Sequence, residues 1–126
     1  MQTYFFVDTG SRLAQLRDCD IIFIEASRNY AIIETTTGRY TALVNLRHLE
    51  TILPPGQFCR IHRSFIVSIA AIKAIAKGKI ILEHRELPIG DIFRDELFKR
   101  ITIASQTRQK NIGQFPDAWE NHLISI

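Results

Sequence analysis

The chain has 126 residues, 46% of them apolar and 23% charged, enough for one domain with a sizeable core and too ordinary a mix for a disordered protein. Two cysteines, Cys19 and Cys59, stand far apart with no CxxC or His-rich pairing, which speaks against a zinc site or a disulfide framework. The formal net charge of +3 says little until it is mapped. Residues 26–82 hold eight Lys or Arg against Glu34 and Glu50, while both flanks are net acidic. A basic middle suits a phosphate-bearing partner, and an ordinary solvated surface accounts for it equally well.

Strand signals dominate the first ninety residues. Tyr4-Phe5-Phe6-Val7, the turn cluster Asp8-Thr9-Gly10-Ser11 and the alternating Leu13-Ala14-Gln15-Leu16 read as a hairpin. After Asp18-Cys19-Asp20, the run Ile21-Ile22-Phe23-Ile24-Glu25-Ala26 reads as a largely buried strand. A short polar break at Ser27-Arg28-Asn29 precedes a second strand from Tyr30, and Thr37-Gly38 turns into a third that ends near Val44. Asn45 followed by Leu46, Leu49, Ile52 and Leu53 predicts a capped amphipathic helix over residues 45–53, closed by Pro54-Pro55-Gly56.

Phe58-Cys59-Arg60-Ile61-His62 is strand-like, and strict alternation puts Phe58, Arg60 and His62 on one side. Residues 63–68 are ambiguous between strand and helical turn. Lys77-Gly78 at the tip of a hairpin leads into Lys79-Ile80-Ile81-Leu82, and Glu83-His84 turns the chain into Arg85-Glu86-Leu87-Pro88-Ile89. A second helix begins at Gly90-Asp91, with Phe93, Leu97, Ile101 and Ile103 on one face. Periodicity then fades. The expected organisation is a mainly β domain over residues 1–104 with two short helices, and a C-terminal extension over 105–126 that contains Phe115 and Trp119.

No feature points to catalysis. His48, His62, His84 and His122 form no HxH or HExxH pair, and neither a G-x-S-x-G elbow nor a phosphate-cradling glycine loop occurs, so no enzyme, cofactor, metal or small-molecule substrate is expected. The first residues lack the basic segment and apolar run of a signal peptide, and the apolar stretch over residues 65–72 is too short to span a bilayer. With flanks suited to burial of both thiols, this suggests the reducing cytoplasm, away from membranes.

Four blocks carry a family resemblance. Asp20-Ile21-Ile22-Phe23-Ile24-Glu25-Ala26 followed by Asn29-Tyr30 resembles the D-I-x-[YF]-I-E-A…N-Y signature of LytTR-type DNA-binding domains. Leu46, Leu49, Glu50, Leu53 and Pro54 match the family's L-x-x-L-E-x-x-L-P helix. Phe58 to Val67 is similar to its F-x-R-[IV]-H-[RK]-S-[YF]-[IL]-V block, and Leu87-Pro88-Ile89-Gly90 with Phe93-Arg94 to its closing segment. The resemblance implies an elongated stack of antiparallel sheets, a β-β-β sandwich, whose strand-end loops enter the DNA major groove without a recognition helix. It implies a response-regulator-like bacterial transcription regulator acting on promoter repeats in double-stranded DNA, with a homodimer on paired repeats as a possibility.

On that family alignment Arg63 is the leading base contact, because its planar fork suits guanine O6/N7 or a phosphate. Ser64 is either a phosphate donor or a cap, and His62 a packed, hydrogen-bonded histidine. Arg28 and Asn29 fill the short loop between two apolar strands, where Asn29 is a reader of adenine or a left-handed turn residue. Lys77, Lys79 and Arg94 are candidate phosphate anchors; Arg94 has a salt bridge with Asp91 or Glu50 as its alternative. In the family's third contact loop many relatives carry a basic or polar residue at the position of Asp91; an acid there repels backbone phosphate but can accept from cytosine N4, and this departure leaves Asp91 and Ile92 without an assigned contact. Tyr30 is assigned to packing. A protein-interaction module of the same fold that has lost DNA binding is the competing expectation, with the tail around Phe115 and Trp119 as its anchor.

Overall fold

The computed structural model describes residues 3–106. The first hairpin forms as expected: β1 (Tyr4–Asp8) pairs antiparallel with β2 (Leu13–Arg17), and the Asp8 carboxylate accepts the Gly10 N–H at 2.8 Å to close the turn. A five-stranded antiparallel sheet follows, in the order β5-β4-β3-β7-β6. Its strands are β3 (Ile21–Ser27), β4 (Tyr30–Thr35), β5 (Gly38–Ala42), β6 (Phe58–His62) and β7 (Phe65–Ser68). A third sheet of three short strands, β8 (Ala74–Ala76), β9 (Lys79–Ile81) and β10 (Glu86–Pro88), completes the stack.

The two helices are short. In α1 (Leu46–Ile52) the Asn45 side chain accepts the His48 N–H at 2.8 Å, so the predicted cap is in place. α2 (Arg94–Lys99) is shorter than the sequence pattern suggested. A single tight turn over Asp91–Phe93 precedes it, Leu97 and Phe98 are its buried residues, and Ile103 is exposed. Of the face drawn through Phe93, Leu97, Ile101 and Ile103, Leu97 and Ile101 pack against the core while Ile103 is exposed, because the chain leaves helical geometry after Arg100.

Both faces of the central sheet are covered. One carries Ile24, Ala31, Ile33, Phe58 and Ile66 against Val7 and Leu16 of the first hairpin and Leu46, Leu49 and Leu53 of the α1 region. The other carries Phe23, Cys59, Ile61, Phe65 and Val67 against Ile80, Leu82, Leu87, Leu97 and Phe98. A sheet buried on both sides needs apolar residues at nearly every position, which explains the unbroken Ile21-Ile22-Phe23-Ile24 run. The register slips between Ile21 and Phe23, so Ile22 joins Phe23 against the second core while Ile21 and Ile24 fill the first.

Two side-chain expectations need correction. Cys19 is exposed in the turn over Asp18–Asp20, and only Cys59 is a buried thiol, its pKa raised chiefly by loss of solvent. Phe93, placed on the apolar face of the second helix, is only half-buried, while Tyr30, 43% exposed, lies at the rim, one of the packing positions open to it. Among the described residues no helix is long and apolar enough to cross a membrane. The segment with Phe115 and Trp119 falls outside the described residues, as does most of the C-terminal extension assigned to it.

Ile24 is fully buried in the middle of the sheet, so Ile24→Ala should cost about 2–5 kcal/mol in urea unfolding, whereas Asn45→Ala, which removes only a cap, should cost about 1 kcal/mol.

Candidate nucleic-acid interface

In a sheet the backbone groups are consumed by the ladder, so free polar chemistry gathers at strand ends. β3 ends at Ser27 and returns through Arg28 and Asn29 into β4, with Ser27 opposite Tyr30. β6 ends at His62 and returns through Arg63 and Ser64 into β7, with His62 opposite Phe65. Because β3 pairs antiparallel with β7, the finish of one lies beside the start of the other, and the Ala26 N–H donates to the Ser64 carbonyl at 2.8 Å. Two turns 35 residues apart in sequence, at Arg28 and Arg63, are thereby neighbours at one end of the sheet.

One hydrogen bond joins the third sheet's exit to the same end, and a second ties its tip to that exit. Gly90 N–H donates to the Ile61 carbonyl at 2.8 Å, just before the Arg63 turn, and Ile89 N–H donates to the Gly78 carbonyl at 2.9 Å. Gly78 has φ +79°, a conformation suited to glycine, at the tip between Lys77 and Lys79. A Cβ on Gly90 would come within 3.0 Å of the Phe93 ring, so the glycine lets the Asp91–Phe93 turn fold tightly against the end of β6. The structure thus brings together Arg28, Asn29, Arg63, Ser64 and the segment leading to Arg94, with the Lys77–Lys79 tip next to that segment.

Arg28, Asn29 and Arg63 are exposed, and among the described residues their side chains reach no protein acceptor. Arg28 takes the left-handed conformation, φ 57°, which the sequence reading had offered to Asn29. An L-residue held there costs about 1–2 kcal/mol. Ser64 is half-buried, its backbone N–H donating to His62 Nδ1 at 3.0 Å. His62 is the packed histidine expected, its ring 5.7 Å from that of Phe65. A register shift between Arg60 and His62 turns it toward the Phe65 side, away from the side of Phe58 and Arg60 to which strict alternation assigned it.

Arg94 is half-buried, with an Nε that has no hydrogen-bond partner. Neither carboxylate suggested for it is engaged with it: Glu50 pairs with Arg60 at 2.6 Å, and Asp91 is exposed. Lys79 pairs with Glu86 at 3.2 Å, both about half exposed, an attachment worth no more than about 1 kcal/mol and readily exchanged for a phosphate.

The residue that sequence reasoning passed over is Arg60. It donates from Nε to the His62 carbonyl at 2.8 Å and from Nη2 to the Arg63 carbonyl, pairs with Glu50 of α1, and lies 5.8 Å from the Phe93 ring centre. One guanidinium thus ties the Arg63 turn to α1 and to the Asp91–Phe93 turn. Arg85 plays a similar part between the sheets, stacked on Phe23 and Phe65 at 5.0 and 5.5 Å and paired with Glu25 at 3.1 Å. The signal for Arg60 was an arginine set among apolar residues, and Arg85 stands in the polar run Glu83-His84-Arg85-Glu86; neither pattern distinguishes a strut from a contact.

A groove of about 490 Å³ with Ile22, Phe23 and Leu82 in its lining lies away from this end, and the arginines at its rim, Arg39 and Arg85, are already paired with Glu34 and Glu25.

A family model described as the LytTr DNA-binding domain matches residues 11–102. The CO-responsive transcriptional regulator RcoM of Rhodospirillum rubrum is 36% identical over 76 residues, a match that covers 60% of this chain and 28% of that protein, so the chain spans little more than a quarter of its relative. Among solved structures, the LytTr DNA-binding domain of a protein described as a methyl-accepting/DNA response regulator from Bacillus cereus superposes with a TM-score of 0.69. It is 21% identical and covers 79% of this chain and 97% of that one, which establishes the shared fold.

Arg60→Lys keeps the charge but cannot serve two carbonyls and Glu50 at once, and should lower unfolding free energy by about 1–3 kcal/mol. Arg28→Gly relieves the left-handed residue and should raise stability, by up to about 1 kcal/mol, in the same urea titration.

Proposed function

The chain belongs to the LytTR DNA-binding domain family, and from that membership we propose that it acts as a bacterial transcription regulator, binding specific duplex DNA by presenting its strand-end turns to the major groove. One observation carries the reading: the Arg28-Asn29 and Arg63-Ser64 turns abut through the Ala26–Ser64 hydrogen bond and offer cationic and amide side chains that nothing in the described protein occupies.

Each side chain has a role that its chemistry supports. The Arg63 fork matches the O6/N7 edge of guanine, and the Asn29 amide can both donate to N7 and accept from N6 of adenine. Arg28 beside it, held in a strained turn, is pre-set toward a base or a neighbouring phosphate. Ser64 offers a hydroxyl to phosphate. Arg94, Lys77 and Lys79 anchor the backbone of the duplex through charge-assisted hydrogen bonds to phosphate oxygens. Arg60 touches no DNA in this scheme; it positions the Arg63 turn. Two copies on paired repeats would extend the same surface along one face of the duplex.

Binding should be steeply salt-dependent, log Kd changing by about 0.9 per log unit of salt for each phosphate neutralised. Fluorescence anisotropy on a duplex selected from a random library tests this. Arg63→Ala should cost about 1–3 kcal/mol and blur preference at one base pair, while Arg94→Ala should weaken all sequences alike and reduce the salt slope by about one phosphate. Salt-insensitive or absent binding would return the chain to the class of protein-interaction modules.

A further inference from the structure

Among the described residues eight large hydrophobic side chains are exposed, and the most exposed of them is Ile92, at 86%. Single apolar residues on a surface are ordinary; the position of this one is not. Ile92 is the middle residue of the tight turn Asp91–Phe93, whose two neighbours are fixed. Gly90 is bonded to the Ile61 carbonyl, and Phe93 lies against the guanidinium that also holds the Arg63 carbonyl. Phe93 packs inward and Ile92 is left outside, beside the Arg63 turn. The turn is held from both ends, so the exposure of Ile92 is fixed by its neighbours.

The reading of the site as a major-groove surface, on which the present step rests, leaves this side chain without a partner. A β-branched hydrocarbon can make no hydrogen bond to a base edge or a phosphate. The C5-methyl of thymine is the one apolar group that a base edge presents in the major groove. The preceding residue, Asp91, is an exposed carboxylate that repels phosphate, which disfavours the sugar-phosphate backbone as the surface this turn meets. We propose that Ile92 is a specificity-determining residue that selects thymine by packing on its C5-methyl group, next to the base pair contacted from the Arg63 turn. Arginine, amide and hydrocarbon then divide the recognition among guanine, adenine and thymine.

The test removes the methyl from the DNA as well as the side chain from the protein. Each thymine of the selected duplex is replaced singly by deoxyuridine, and anisotropy is measured with the full chain and with Ile92→Ala. Burial of about one methyl group corresponds to roughly a fourfold change in affinity. One deoxyuridine position should weaken the unsubstituted protein by about that factor and leave Ile92→Ala within about 1.5-fold of its own value on the thymine duplex. Replacing the base there with 5-methylcytosine opposite guanine should recover part of the loss relative to cytosine, for the unsubstituted protein alone. Thermal melts should coincide for the two proteins, since Ile92 contributes little to the core. If no deoxyuridine position discriminates between the two proteins while Arg63→Ala still weakens binding, the thymine assignment is wrong and the DNA-binding reading stands. If neither protein binds duplex in a salt-sensitive way, both fall.

Discussion

The pairing of β3 with β7 is the constraint on which the rest depends. Among the described residues it is the only ladder that joins the β3-β4-β5 half of the sheet to the β6-β7 half, and it does so through Phe23, Ile24 and Glu25 opposite Val67, Ile66 and Phe65. Those same residues alternate between the two cores, Ile24 and Ile66 on one side and Phe23, Phe65 and Val67 on the other. A slip of one residue would exchange the contents of both cores at once, so the register is strongly specified. The location of the site follows from that register. With both faces buried, polar groups can be offered only at strand ends, and the β3–β7 register decides which two ends meet.

Charge has to be read with the same attention to partners. The excess of cations between residues 26 and 82 looked like a footprint for phosphate, yet several of them are structural. Arg39 is paired with Glu34 and Arg60 with Glu50 and two carbonyls, whereas the exposed pair of Lys79 with Glu86 is weak enough to exchange. Outside that segment, Arg85 pairs with Glu25 and Arg100 with Glu96, and Arg100 also reaches the Pro55 and Phe58 carbonyls at 2.6 Å, clamping α2 to the entry of β6. The cations free to meet a ligand are fewer than the composition suggests, and Arg28 and Arg63 are next to one another. Concentration at one place, more than total charge, is what focuses a field onto a groove.

Local patterning made much of the fold legible: the first hairpin, the Asn45 cap, the Lys77-Gly78 tip and the strands themselves follow from turn chemistry and runs of β-branched residues. It failed where one residue is inserted. The irregularities at Ile21/Phe23 and Arg60/His62 shift side chains across the sheet, and nothing in a single sequence marks a bulge among apolar residues. The second helix was overextended because a periodic apolar pattern persists past Arg100 where backbone helicity does not. The neighbourhood of Arg28 and Arg63 was legible only through family resemblance, since strand partners distant in sequence leave no local trace.

Two departures from local rules remain once the packing is accounted for, and both concern arginines of the site. Arg28 occupies a backbone conformation that glycine or asparagine would hold more cheaply, although asparagine stands at the next position. Arg94 keeps a buried Nε without an acceptor, although exposed carboxylates lie on the same short helix at Asp95 and Glu96. A chain consistent in its core, caps and turns but inconsistent at two cations has a stability optimum that differs from its optimum for binding. The Nε of Arg94 is closed off from solvent, so its missing partner is a cost of packing α2, and only the rest of the half-buried side chain is left to meet a ligand. Both irregularities cost the free protein, and both belong to residues of the surface proposed above to meet duplex DNA.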